Sequence, residues 1–216
     1  MEISWIGHSS FLIKTSLGRR ILMDPFSCPY IDSLNDISII TISHNHFDHN
    51  YIPKALENSI ILNTLETYED ETIRIDAIKT FHDNINGHKR GDNIVFVINC
   101  DNVRIAHLGD LGHNLNTETI KSLFNIDVLC IPVGGNFTID GKVASNLCKD
   151  ISPKIIIPMH YNPVAIPSKI GGVDKFILNM GNGKKHPYES INIEEYKASS
   201  NAVTLLSPLS LKPIDF

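Results

Sequence analysis

The chain has 216 residues, 42% hydrophobic and 20% charged, with a formal net charge of −5. That composition fits an ordinary globular protein with a sizeable core, long enough for one large domain or two small ones. The acidic balance gives no general attraction to nucleic acid or anionic membrane, and no run approaches the roughly 18 apolar residues of a membrane span.

The first half reads as short strands divided by Gly- and Ser-containing turns: Glu2–Ile6, Phe11–Thr15, Arg20–Asp24 and Ser38–Ile42. A helix is expected over Tyr51–Glu57, then strands over Ile60–Asn63, Thr72–Thr80, Asn93–Asn99 and Val103–Leu108. The second half alternates. Helices are expected at Thr117–Phe124, Lys142–Asp150 and Val173–Met180, and strands at Val128–Val133, Ile155–Pro158 and Val203–Leu206. Strands first, then strands alternating with helices, predict two packed sheets with helices outside. No linker or repeat divides the chain, so a single domain over residues 1–216 is expected. "MEISWIGHSSFLI" lacks the basic leader and long apolar core of a signal peptide. Cys28, Cys100, Cys130 and Cys148 are far apart and form no C-x-x-C pair. Buried thiols and a cytoplasmic location follow as expectations.

The chemistry concentrates in "SHNHFDHN", residues 43–50. His44 and His46, two apart, point to the same side of an extended chain, and Asp48 and His49 follow in a turn or the start of a helix. Imidazoles with carboxylates suit zinc, iron or manganese. Three later segments repeat the design: the strand-like run in "AIKTFHD" ends in His82, "VRIAHLGD" in Asp110 and "KIIIPMH" in His160. If those strand ends share one rim, seven donors converge. Seven exceed one tetrahedral zinc and suit two ions with a bridging carboxylate and positions open for water.

The order H-x-H-x-D-H, a lone His, an Asp in "GD" and a final His resembles the metallo-β-lactamase superfamily. More narrowly, "WIGHSSFLI", "DPF", "TFHD", "HLGDLGH", "IPVGGNFTID" and "IIIPMHY" resemble its small Zn-dependent hydrolases. That branch is related to L-ascorbate-6-phosphate lactonase and N-acylphosphatidylethanolamine-hydrolysing phospholipase D. The resemblance runs from Trp5 to about Tyr161, and residues 163–216 lie outside it. It implies a four-layer αββα sandwich, with His44, His46 and His82 on a first metal. Asp48, His49 and His160 would hold a second, with Asp110 bridging. Zinc is the first candidate, manganese and iron the alternatives.

Two such ions sharing a water create a hydroxide at neutral pH, oriented by Asp48 and Asp110. The expected activity is hydrolysis of a small ester, lactone or phosphodiester. No G-x-S-x-G elbow appears. A small-molecule substrate is expected, open to an anionic one, with neither nucleic acid nor membrane as partner; a homo-oligomer is compatible with the sequence. A nuclease is the second reading, weakened by the acidic balance and by only about fifty residues between "GD" and His160. A mononuclear iron dioxygenase and a non-catalytic metal-binding protein complete the alternatives.

Around the donors, Asp24 in "MDPF" is a candidate partner for a ligand histidine. Asp83, beside His82, could serve similarly but reads first as a solvated loop carboxylate. His8 and His113 are candidates for donation to substrate or leaving group, whereas His107 reads as packed. Gly134 and Gly135 would bring backbone to the pocket wall, and Asp140 would cap the next helix. "GHKRG", residues 87–91, is a basic loop that could take an anionic group but more often is a solvated turn. "GNGKKHP", residues 181–187, reads as a turn after a helix.

Overall fold

The computed structural model describes residues 1–163, 169–194 and 201–211. Fourteen strands are described: β1 (Glu2–Gly7), β2 (Ser10–Lys14), β3 (Arg20–Met23), β4 (Ile39–Thr41), β5 (Ile60–Leu62), β6 (Tyr68–Glu69) and β7 (Ile73–Phe81). Then come β8 (Asp92–Cys100), β9 (Val103–His107), β10 (Val128–Pro132), β11 (Ile155–Met159), β12 (Lys184–Lys185), β13 (Ser190–Asn192) and β14 (Ala202–Leu205). The helices are α1 (Pro29–Asp32), α2 (Thr117–Ser122), α3 (Gly141–Ile151) and α4 (Asp174–Met180).

The strands form two mixed sheets, ordered β13-β1-β2-β3-β4-β5 and β12-β14-β11-β10-β9-β8-β7-β6. The period-two alternation of the strands decides their faces. Ile3, Trp5, Phe11, Ile13, Ile21, Met23 and Ile39 turn inward onto the core shared with the second sheet. Leu12, Leu22 and Ile40, their chain neighbours, turn outward under α1 and the turn at Lys54–Leu56. On the other flank Ala144, Leu147, Cys148 and Ile151 of α3 and Phe176 of α4 join the main core. Helix, sheet, sheet, helix is the architecture the sequence predicts.

Three elements differ from expectation. Tyr51–Glu57 is no α-helix but one 3-10 turn at Lys54–Leu56, because Pro53 is extended (ψ 150°) and too little chain follows it to propagate a helix. "GNGKKHP" carries the short strand β12, which pairs with β14 in parallel. The C-terminal quarter, outside the resemblance, closes both sheets: β13 pairs with β1, and β14 with β11.

The buried core explains the thiols. All four cysteines are free and buried, and burial pushes Cys100 up to about 12, so none is a reactive thiolate. No helix among the described residues is long and apolar enough to cross a membrane.

Candidate metal centre

The donors gather because parallel strands finish on one rim. β9, β10 and β11 are mutually parallel, as are β3 and β4. Chain leaving their C-terminal ends therefore emerges on a single edge, where open α/β sheets place ligands. His8, Asp24 and His160 follow directly after β1, β3 and β11, and all three have left-handed backbone, at φ 51°, 42° and 50°. For non-glycine residues that conformation costs about 1–3 kcal/mol each. Surrounding hydrogen bonds hold it: the His8 carbonyl accepts from Trp5 Nε1 at 3.1 Å and from the His160 amide at 3.0 Å. The His160 bond ties one sheet to the other at the rim, and the Trp5 bond anchors the turn to its own strand.

Asp110 is the centre. Its Oδ2 lies 3.2 Å from His82 Nε2 and 3.1 Å from His160 Nε2, and its Oδ1 lies 3.4 Å from His49 Nε2. On one side ring nitrogens of His44, His46 and His82 fall within 4.8 Å of one another; on the other side those of His8, His49 and His160 do the same. Asp48 joins the second group through Oδ2, 4.0 Å from His49 Nε2 and 3.3 Å from His8 Nε2. The structure thus brings all seven predicted donors together and adds His8, which sequence reading placed only near substrate.

Behind the donors stands one buried carboxylate. Asp24 Oδ2 accepts from His49 Nδ1 at 2.9 Å and from Ser43 Oγ at 2.5 Å, while Oδ1 accepts from the Ser43 amide at 2.7 Å. Ser43 Oγ in turn lies 2.9 Å from His44 Nδ1. Since the Ser43 proton goes to Asp24, its oxygen accepts from His44 Nδ1–H. In their neutral forms both rings then direct Nε2 lone pairs inward, and neither buried Nε2 has a hydrogen-bond partner.

A lone pair on His49 Nε2 facing a carboxylate oxygen at 3.4 Å is repulsive unless a proton or a metal cation lies between them. Electrostatics say the same. Burial alone would raise the Asp110 carboxyl, yet His160 and His49 hold it well below the usual carboxylate range. Burial would lower His49, but Asp110 and Asp24 hold it well above its ordinary value. His44, pushed down to about 3 by burial and then by His49, is neutral at pH 7 and ready to ligate. Carboxylates and imidazoles with unpartnered lone pairs form a donor set that fits borderline divalent ions.

Asn93, which sequence reading passed over, fixes the central residue. Fully buried, it accepts the Asp110 amide on Oδ1 at 2.9 Å and donates from Nδ2 to Thr80 Oγ1 and the Leu108 carbonyl. Gly109 makes this approach possible: at φ 54°, an added Cβ would lie 2.4 Å from Asn93 Oδ1. No periodicity marks such an asparagine, because its role arises from strands distant in sequence.

Other predicted residues divide. His113 accepts the Phe81 amide on Nε2 and donates from Nδ1 to the Asn114 carbonyl, so both nitrogens are taken by backbone. Gly134 packs on His160, its amide donating to that carbonyl at 3.1 Å, and Gly135 follows at φ 67°. The wall beside them is made instead by Phe137. Asp140 caps α3, accepting the Lys142 and Val143 amides. His107 is fully buried, bonded to the Ser9 carbonyl. Asp83 is not solvated: it is buried and accepts the amides of Ile85, Gly87, Lys89 and Arg90 at 2.8–2.9 Å. A carboxylate can organise a tight loop only by taking its amides, which removes it from water.

A cavity of about 510 Å³ opens over the donors, lined by His46, Asp48, His82, Asp110 and His160 together with Phe47, Arg90, Phe137, Lys169 and Ile170. That volume suits a small molecule.

Known proteins resemble this chain in sequence and fold. The family model described as a beta-lactamase superfamily domain matches residues 2–160. A UPF0173 metal-dependent hydrolase of Nanoarchaeum equitans (strain Kin4-M) is 30% identical over 188 residues, 75% of this chain and 84% of that protein. The crystal structure of a metallo-beta-lactamase superfamily protein from Thermotoga maritima matches with a TM-score of 0.78 at 29% identity, covering 95% of this chain and 97% of the other. A metallo hydrolase from Ignicoccus hospitalis shares the fold at TM-score 0.64 and 21% identity, over 83% and 90%. With its rim of histidines and aspartates, the chain belongs to the metallo-β-lactamase superfamily, as a metal-dependent hydrolase related to the UPF0173 proteins.

Proposed function

We propose that this hydrolase works with two divalent ions, zinc first among the candidates, and cleaves a small ester, lactone or phosphodiester. His44, His46 and His82 would hold one ion, and Asp48, His49 and His160 the other. The observation that carries the reading is Asp110, whose two oxygens face His82, His160 and His49 at 3.1–3.4 Å, between both histidine groups. Bound there, the ions supply Lewis acidity and a water acidified towards neutrality.

The chain's own residues do the rest. Asp24 and Ser43 hold the His49 and His44 tautomers, and Asn93 holds the Asp110 backbone. Half-buried Asp48, held by His8 at 3.3 Å, keeps carboxylate oxygen at the cavity mouth to orient the attacking water. Phe137 and Ile170 narrow the cavity and limit its water. The buried free thiols fit a reducing, cytoplasmic setting.

The test is a panel of lactones, carboxylic esters and phosphodiesters, assayed with added zinc or manganese. Turnover of at least one class should fall more than about 100-fold in Asp110→Asn, because a ligand matters at least as much as its supporting partners. Failure of the metal-loaded protein to turn over any class would contradict the reading.

A further inference from the structure

Arg90 stands on a wall shared by two cavities. One is the 510 Å³ space over the donors; the other, of about 410 Å³, runs from His44 and His46 past Asn63, Thr64 and Asn93. Both are lined by Arg90 and His46. The arginine belongs to the basic loop "GHKRG", for which the sequence offers both an anion-binding role and a solvated turn. It is held in place: its amide donates to Asp83 Oδ2 at 2.8 Å, and its guanidinium carbon lies 5.1 Å from the Phe137 ring centroid. That cation–π contact fixes the guanidinium beside the ring, on the lining of both cavities.

Among the described residues no carboxylate answers this charge. Among the described residues Arg90 forms no ion pair within 4.0 Å. The acids on the larger cavity are Asp48 and Asp110, which the donor set already uses. Asp92, the acid on the smaller one, is paired with Lys79 at 2.8 Å. Lys169 adds a second cation to the larger cavity, on a segment docked by the Gly171 amide to the Gly134 carbonyl at 2.8 Å. A guanidinium held against an aromatic wall beside a hydrolytic centre, with no anion partner among the described residues, is a receptor for a substrate anion.

We propose that Arg90, assisted by Lys169, binds a carboxylate or phosphate monoester that the substrate carries apart from its scissile bond. This rests on the hydrolase reading for the scissile bond, but the anion contact can be measured without turnover. The alternative is that Arg90 only staples its loop to Phe137.

Two measurements on the metal-loaded protein separate these roles. Calorimetric titration with inorganic phosphate and with glutarate compares wild type, Arg90→Gln and Arg90→Lys; the metals are common to all three. Losing a charge-assisted pair should weaken binding by about 10- to 100-fold in Arg90→Gln, with Arg90→Lys between. Phosphate weakened more than glutarate would identify the phosphate monoester as the natural group, and the reverse the carboxylate. Kinetically, the kcat/KM ratio of mono(4-nitrophenyl) glutarate to 4-nitrophenyl butyrate should fall by about tenfold or more in Arg90→Gln, through KM. A loop staple would lower both esters alike and leave the ratio unchanged. Unaltered anion affinity in Arg90→Gln, with melting temperature preserved, overturns the proposal. Hydrolysis of neither ester, with anion affinity still dependent on Arg90, would count against the ester reading and leave the anion site standing.

Discussion

The Asp24 carboxylate accepts the Nδ1 proton of His49 at 2.9 Å, and through Ser43 the same oxygen reaches His44. One buried acid therefore sets the tautomers of two histidines assigned to different ions. Such partners typically matter 10–100-fold in metal affinity. Asp24→Asn should weaken both sites by about that much, while Ser43→Ala should weaken chiefly the His44 site. Competition with a fluorescent zinc chelator reads this out; unchanged affinity in Asp24→Asn would remove Asp24 from the centre.

Trp5 couples core to rim. It is fully buried, its ring stacks on Tyr161 at 5.3 Å, and its Nε1 reaches the His8 carbonyl. Trp5→Ala should cost about 3–5 kcal/mol in denaturant unfolding. Leu178→Ala, at a side chain 83% exposed, should stay within about 0.5 kcal/mol. Equal effects would contradict the packing described.

Asp83 gives a pH signature. Burial raises its carboxyl, but the amides of Arg90, Ile85, Lys89 and Gly87 hold it well below the usual carboxylate range. A folded value below the unfolded one, about 3.9, stabilises the fold above that pH, and the stabilisation fades as pH falls through the folded value. Wild type should therefore melt above Asp83→Asn at pH 7, and the gap should narrow below about pH 4. A gap independent of pH would show that the amides do not depend on the charge.

Gly109 is a tight point beside the centre, in left-handed backbone at φ 54°. Gly109→Ala would press Cβ against Asn93 and Ser43 in a left-handed turn, a conformation costing about 1–2 kcal/mol for residues other than glycine. A lower melting temperature together with weaker zinc binding is expected, because the displaced Asn93 holds the Asp110 amide. Loss of stability without loss of affinity would separate Asn93 from the site.

Much of this was legible in the sequence because strand ends advertise themselves. "SIITISH", "AIKTFHD" and "KIIIPMH" each finish an apolar run in a donor, and the parallel topology places those ends on one rim. Residues acting across the fold were not legible. Asn93 works through Thr80 and Asp110, and Arg90 takes its meaning from Phe137, forty-seven positions away in "GGNFT". Asp83 looked solvated because nothing local shows that four amides turn towards it. Lys169 and Ile170 reach the cavity from a stretch with no recognisable motif.

In the proposed centre Asp110 joins two metal sites, and the metal content of the protein decides whether it does. Elemental mass spectrometry on protein purified without chelator or added metal should find about two equivalents of zinc or manganese per chain, as a two-ion centre requires. Asp110→Ala should lose both, whereas His46→Ala should retain the ion held by Asp48, His49 and His160. A single equivalent in wild type, or two equivalents kept by Asp110→Ala, would contradict the shared-carboxylate centre.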